Sequence, residues 1–317
     1  MCFDTASTIF QAVFQLTLIS LAAGILVKRK IVTQDQVQSM SAVTVTVFLP
    51  CLILANVITT FDPAGFGLWW TLPLAGTLLV FTGLFCAALL FGFKREKKSH
   101  LPMASMQNAV YITLPIGQIL FPDQFDTFAL YCFLLILGLT PLMWSIGKVL
   151  IAGTRGPKAR WQDFVTPPLV ATLAALFFVF TGLKAALPQA ALEATALLGQ
   201  ATVPLAAFVL GATLAGISIR HMPPVRDLAV VCIVKYLILP GLTFAVLFHA
   251  GLHQSMPLFC SLMIIQASAP PATNLILIVK NYGGDGQAAG SMMLVQYLLC
   301  LPAMPVWLAL WQMAAAP

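Results

Sequence analysis

Two short stretches of this 317-residue chain concentrate side chains that can hold a polar ligand without themselves carrying charge. The first is Gln107-Asn108-Ala109-Val110-Tyr111-Ile112-Thr113-Leu114-Pro115-Ile116-Gly117-Gln118. The second is Gln266-Ala267-Ser268-Ala269-Pro270-Pro271-Ala272-Thr273-Asn274. Proline lacks the N–H a helix interior needs and collides with the carbonyl one turn back, so a helix through either stretch must open. In the first stretch the opening is expected around Thr113 to Gly117. An opened helix exposes half-helix N-termini, whose free N–H groups and partial positive charge suit an anion. The candidate binding residues are therefore Asn108, Thr113, Pro115 and Gln118 in the first stretch, and Gln266, Ser268, Pro270, Pro271, Thr273 and Asn274 in the second. A plain proline kink is the alternative at either stretch taken alone.

Lys235 lies inside an apolar run, Val231-Cys232-Ile233-Val234-Lys235-Tyr236-Leu237-Ile238-Leu239-Pro240. A lysine at mid-membrane costs about 2.5–3.5 kcal/mol on insertion scales, so it needs a partner or a wet pocket. Asp4, Asp35, Asp62, Glu96, Asp123, Asp126, Asp163, Glu193, Asp227 and Asp285 all fall in loops or at expected helix ends. Backbone carbonyls, snorkelling or a bound anion remain as compensation, and the last makes Lys235 a further candidate binding residue. Proton relays and sodium sites usually employ a buried carboxylate. Its absence favours transport driven by the anion's own gradient or by membrane potential, with a sodium site of carbonyls and amides as the other option. The spans hold no His-Glu zinc motif, no paired aspartates and no Ser-His arrangement, so neither an enzyme nor a cofactor is expected. The seven cysteines lack ligand spacing and read as packing residues.

The elements that must position these residues follow from composition. Hydrophobic residues make up 60% and charged residues 8% of the chain, against roughly 25% charged in a soluble domain. A lipid bilayer is the expected solvent and partner. The formal charge of +6 lies in loops and does not form a nucleic-acid surface. Apolar runs fall at 7–27, 41–60, 67–93, 101–121, 125–150, 164–184, 192–217, 226–249, 255–280 and 286–312. That predicts an all-α integral membrane protein of ten transmembrane helices. The first run is followed, not preceded, by Lys28, Arg29 and Lys30, so it reads as a retained helix. Thr33-Gln34-Asp35-Gln36 fits a capping box opening the second span, and Asp285 after Gly283-Gly284 fits an N-cap of the tenth.

Alternate loops hold fourteen of the sixteen basic residues: Lys28, Arg29 and Lys30; Lys94, Arg95, Lys97 and Lys98; Lys148, Arg155, Lys158 and Arg160; Arg220 and Arg226; Lys280. By the retention of Lys and Arg on the inner side, both termini face out of a cytoplasmic membrane. Val47-Phe48-Leu49-Pro50 in the second span is answered by Ala201-Thr202-Val203-Pro204 in the seventh, and the Asn108–Pro115 stretch of the fourth by Ala269–Asn274 of the ninth. Two five-helix repeats follow, residues 1–156 and 157–317. Five is odd, so the second repeat enters the membrane inverted, with the broken fourth and ninth helices crossing near the midplane.

These residues resemble the auxin efflux carrier family, which includes plant auxin exporters and bacterial malonate or malate permeases. The matching segments are Gly24-Ile25-Leu26-Val27-Lys28-Arg29-Lys30 with Phe48-Leu49-Pro50, the Gln107-Asn108 to Pro115-Ile116-Gly117 stretch, Thr202-Val203-Pro204-Leu205 with Gly211-Ala212-Thr213-Leu214, and Ala269-Pro270-Pro271-Ala272-Thr273-Asn274 followed by Tyr282-Gly283-Gly284-Asp285. The resemblance implies a scaffold of helices one, two, six and seven that carries a homodimer interface. It also implies a moving transport domain of helices three to five and eight to ten, working by elevator-type alternating access. By motif position Asn108 and Pro115 take the role of the first crossover, and Pro270, Pro271 and Asn274 that of the second. Unlike the plant exporters, this chain has a short central loop and no carboxylate in the third span. The expected function is secondary transport of a small organic anion, a mono- or dicarboxylate such as malonate or malate, or an auxin-like aromatic acid. A membrane receptor or a channel on the same fold is the rival reading.

Overall fold

The computed structural model describes residues 2–152, 165–217, 221–282 and 285–315. Arg155, Lys158, Arg160, Arg220 and the Gly283-Gly284 pair lie outside the described residues. Every regular element among the described residues is helical. In chain order they are α1 (Cys2–Lys28), α2 (Gln34–Thr60), α3 (Thr71–Leu90), α4 (Leu101–Ser105), α5 (Thr113–Leu120), α6 (Pro122–Ile151), α7 (Pro167–Phe180), α8 (Gln189–Ala215), α9 (Val225–His249), α10 (Pro257–Ser268), α11 (Asn274–Tyr282) and α12 (Gly286–Ala314). Seven of these, α1, α2, α3, α6, α8, α9 and α12, are long and apolar enough to cross a bilayer, while α7 and α10 are shorter apolar helices. Their outer faces carry exposed Phe14, Phe81, Phe85, Phe177 and Val246, side chains that belong in hydrocarbon.

Helix α2 begins at Gln34, where the Thr33–Gln36 capping box places its start, two turns ahead of the apolar run that opens at 41. The Thr33 hydroxyl accepts from Gln36 N–H while the Gln36 side chain accepts from Thr33 N–H, so the capping box satisfies two free donors and lets the helix start early. Asp285 caps α12 by accepting from Gln287 and Ala288 N–H, both at 3.0 Å. Three long helices absorb a proline through a single π-turn: Thr44–Phe48 ahead of Pro50, Met143–Gly147 after Pro141, and Val234–Ile238 ahead of Pro240. The wider turn keeps the backbone paired where an α-turn would clash with the ring. Those helices bend but do not break.

Close approaches are made where small residues meet. A side chain on Gly211 of α8 would run into the Ser20 backbone of α1, and one on Gly138 of α6 into the Pro73 carbonyl of α3. With little hydrophobic drive between helices in lipid, such backbone proximity supplies dispersion energy that bulkier residues prevent. The core runs through the centre of the molecule, from Phe128, Phe133 and Leu134 of α6 to Ile264 of α10 and Met293 of α12, all fully buried.

Candidate functional site

Among the described residues, two of the expected apolar spans lose regular helix over several residues, at 106–112 between α4 and α5 and at 269–273 between α10 and α11. The first failure lies upstream of the expected Thr113–Gly117. Pro115 sits in the first turn of α5, where its N–H would have had no helical partner in any case, so proline opens the turn before itself and then starts the next helix without cost. Both second halves, α5 and α11, point their N-termini back toward the interruption.

The two interruptions lie against each other. Asn108 N–H donates to the Pro270 carbonyl at 2.8 Å and Ala272 N–H donates to the Met106 carbonyl at 3.0 Å, which sets Gln107 opposite Pro271 as an isolated antiparallel bridge. Backbone groups that would be ruinous facing lipid thereby satisfy one another. Side chains complete the junction. Asn108 Oδ1 accepts from Tyr111 N–H (2.9 Å) and Val110 N–H (3.3 Å), and Asn108 Nδ2 donates to the Tyr297 hydroxyl (2.7 Å). That hydroxyl donates in turn to the Pro271 carbonyl at 3.0 Å. Gln266 Nε2 donates to Thr113 Oγ1 (3.0 Å), and Thr113 Oγ1 donates to the Asn108 carbonyl (3.1 Å). One continuous network therefore links α5, α10 and α12 across the interruption.

Beside this junction is a cavity of about 690 Å3. Gln107, Asn108, Tyr111, Thr273 and Asn274 form its floor, α2 supplies Gln34, Gln38 and Ser41, and Val80, Ile136, Leu139 and Trp144 make an apolar wall. No charged side chain is among its described lining residues. Gln107 is 4% exposed, lines the cavity, and finds no hydrogen-bond partner for either Oε1 or Nε2 among the described residues. Carboxamides buried in that state are rare in folded proteins because each unpaired group costs ~1–3 kcal/mol.

The sequence-derived candidates divide accordingly. Asn108, Thr273 and Asn274 line the cavity; Thr113, Gln266, Pro270 and Pro271 build the junction behind it. Ser268 is buried and donates to the Ile264 carbonyl of its own helix at 2.8 Å. Gln118 is exposed; five residues beyond Thr113, at about 100° per residue, it lies roughly 140° around α5 from the side chain that joins the network. Lys235 also falls away from the cavity. It is fully buried in the π-turn of α9, among neither the cavity residues nor the junction, and its Nζ has no hydrogen-bond partner among the described residues. Full burial also excludes snorkelling. Gln107 belongs to the polar stretch marked in the sequence but not to its candidate binding residues, and its lack of partners sets it apart; Tyr297 escapes the sequence reading altogether. Tyr297 is 189 positions from Asn108 in an uninterrupted helix, and nothing local marks it.

A family model described as membrane transport protein matches residues 8–308. The chain belongs to this family. It is the auxin efflux carrier, PIN-like family that the Gln107–Gly117 and Ala269–Asn274 segments resemble. The transporter chain is also 30% identical over 125 residues to the Protein PIN-LIKES 5 of Arabidopsis thaliana, a match covering 38% of this chain and 31% of that protein. A multi-pass membrane transport protein is thus the identity that sequence family and apolar helices share.

Outside the spans, one ionic cluster ties the approach to α4 to the start of α9. Lys97 Nζ donates to Asp227 Oδ2 at 2.6 Å, and His100 Nε2 stands 3.9 Å from the same oxygen. Burial lowers the His100 pKa below its ordinary value, an effect the Asp227 charge only partly offsets.

Proposed function

We propose that the protein is a secondary transporter of a small organic monoanion, which binds in the 690 Å3 cavity against the junction of the two interrupted helices. The observation carrying this reading is the unpaired Gln107 carboxamide on the cavity floor, beside the N-termini of two half-helices. A helix N-terminus is worth about half a positive charge. Two of them offset about one negative charge, and the described lining residues, none of them charged, add nothing further. A single carboxylate therefore suits the site better than a dicarboxylate such as malonate or malate, whose second charge would lie unmatched. The apolar wall of Val80, Ile136, Leu139 and Trp144 suits a substrate with a hydrocarbon or aromatic body.

In this reading α4–α5 and α10–α11 each make one interrupted traverse. With α7 and the seven long helices they bring the number of spans to ten. Helices α2 and α8, both 27 residues long and each carrying a mid-helix proline, support an inverted pair of five-helix repeats. Gln34 follows the Lys28–Lys30 cluster closely and Ile217 precedes Arg220, so the cavity opens toward the basic loops, the cytoplasmic side. Alternating access by an elevator-type movement, and a homodimer through the first, second, sixth and seventh spans, accompany this assignment. Counterflow in proteoliposomes tests it: labelled monocarboxylates with apolar bodies exchange against unlabelled ones, and dicarboxylates compete weakly. A channel carries no counterflow and a receptor moves no label, so the absence of exchange across a broad panel of acids overturns the proposal.

A further inference from the structure

A second cavity, of about 470 Å3, adjoins the one assigned to substrate, sharing Tyr111, Leu210 and Ile217 with it, and is walled almost wholly by hydrocarbon. It lies between α1 and α8 on one side and α5 and α12 on the other. Helix α1 contributes one continuous stripe to it, from Val13 through Leu21 and Ile25 to Lys28. At 1.5 Å per residue that stripe is about 22 Å long, longer than the ~15 Å depth of one leaflet's hydrocarbon. The mouth of the slot opens sideways, where Leu21, Ile25 and Leu298 are 57%, 57% and 58% exposed. These apolar side chains lie on membrane-spanning helices, so the mouth of the slot communicates with the bilayer.

We propose that this slot is a binding site for an anionic phospholipid, with one acyl chain between α1 and α12 and the headgroup at Lys28. Three observations select that occupant. Apolar cavities do not hold water, and an empty one forfeits the dispersion contacts of its lining; in a bilayer the filler at hand is an acyl chain. The slot is walled by residues of four helices, a groove that a flexible acyl chain fills more readily than a flat helix face of a second copy of the chain. Its basic end is exposed and continues into Arg29 and Lys30, a charge pattern that complements an anionic headgroup and gives a neutral one nothing. The inner end of the slot includes Tyr297 and Ile116, so the lipid chain packs against the back of the junction that Tyr297 holds together.

The test uses the delipidated full-length protein in neutral detergent, with phosphatidylglycerol, phosphatidylcholine, palmitate and inorganic phosphate as probes, read by native mass spectrometry and thermal melting. Phosphatidylglycerol binds and raises the melting temperature, about five-fold more tightly than phosphatidylcholine, the preference expected from one basic side chain near an anionic headgroup. Lys28→Gln abolishes that preference while leaving the fold intact. Leu214→Trp, which fills the slot, removes bound lipid altogether; Leu298→Trp at the exposed mouth does the same should the first variant fail to fold. Equal binding of the two phospholipids, a preference that survives Lys28→Gln, or lipid retention in both tryptophan variants overturns the proposal. So does binding of inorganic phosphate as strong as that of the lipid, or a change in oligomeric mass in place of lipid loss.

Discussion

Gln107→Leu separates a ligand-binding role from a structural one, because the two roles predict opposite signs for stability. Gln107 is 4% exposed, and neither polar atom of its carboxamide has a hydrogen-bond partner among the described residues. Leucine has nearly the same volume and no polar atom, so the substitution abolishes a standing penalty of ~1–3 kcal/mol for an unpaired buried group. For a chain of this size each kcal/mol moves the melting temperature by about 2 °C or somewhat more. The ligand-free variant is therefore expected to melt several degrees above the parent. Binding moves the other way. A hydrogen bond to a charged ligand contributes ~1.5–3 kcal/mol, so loss of the carboxamide weakens the dissociation constant of a transported monocarboxylate roughly ten- to a hundred-fold. Thermal melting of purified protein across a substrate titration reads both quantities in one experiment, and counterflow gives the transport consequence. A variant that melts lower than the parent and binds substrate equally well refutes the reasoning, since it places Gln107 in the scaffold.

Tyr297→Phe removes a hydroxyl that accepts from Asn108 and donates to Pro271, leaving both partners unpaired. It is expected to cost ~2 kcal/mol in denaturant unfolding and to slow counterflow without altering the substrate's size preference. Lys235→Met relieves a buried Nζ that has no hydrogen bond and lies away from the cavity. It should raise stability by at least ~1 kcal/mol and leave substrate affinity within two-fold, as a binding titration checks. The His100 pKa is depressed in the folded protein by burial. The unfolded chain therefore binds the proton more readily, and stability, complete above the ordinary histidine value of 6.5, declines as pH falls through that value toward the folded one. Melting curves between pH 8 and pH 5 should show this loss, and His100→Asn should flatten it.

Much of this molecule is legible in its residues because a bilayer imposes one-dimensional rules. An apolar stretch must be helical to pair its own backbone, so composition and run length anticipate the seven helices long and apolar enough to cross a bilayer. Local chemistry is equally readable. Thr33 and Gln36 make their capping box, and Asp285 caps α12, within four residues of sequence in each case. The interruptions could be anticipated from Pro115, Pro270 and Pro271, although the first falls upstream of its proline, because a proline disturbs the turn before it.

What no local rule supplies is the meeting of those interruptions. The backbone bridge between Gln107 and Pro271, and the Tyr297 hydroxyl that joins Asn108 to Pro271, connect positions more than 20 and up to 189 residues apart. Such pairings exist because freed donors and acceptors in a dry interior must find one another. The same tertiary decision separates Gln107 from Gln118 and Lys235. All three are polar groups in apolar surroundings by sequence, yet one faces the cavity, one turns to the surface and one is sealed in a π-turn of α9. Residue type set which groups need a partner in lipid; only the packed helices decided which of them is left without one at a cavity large enough to receive a substrate.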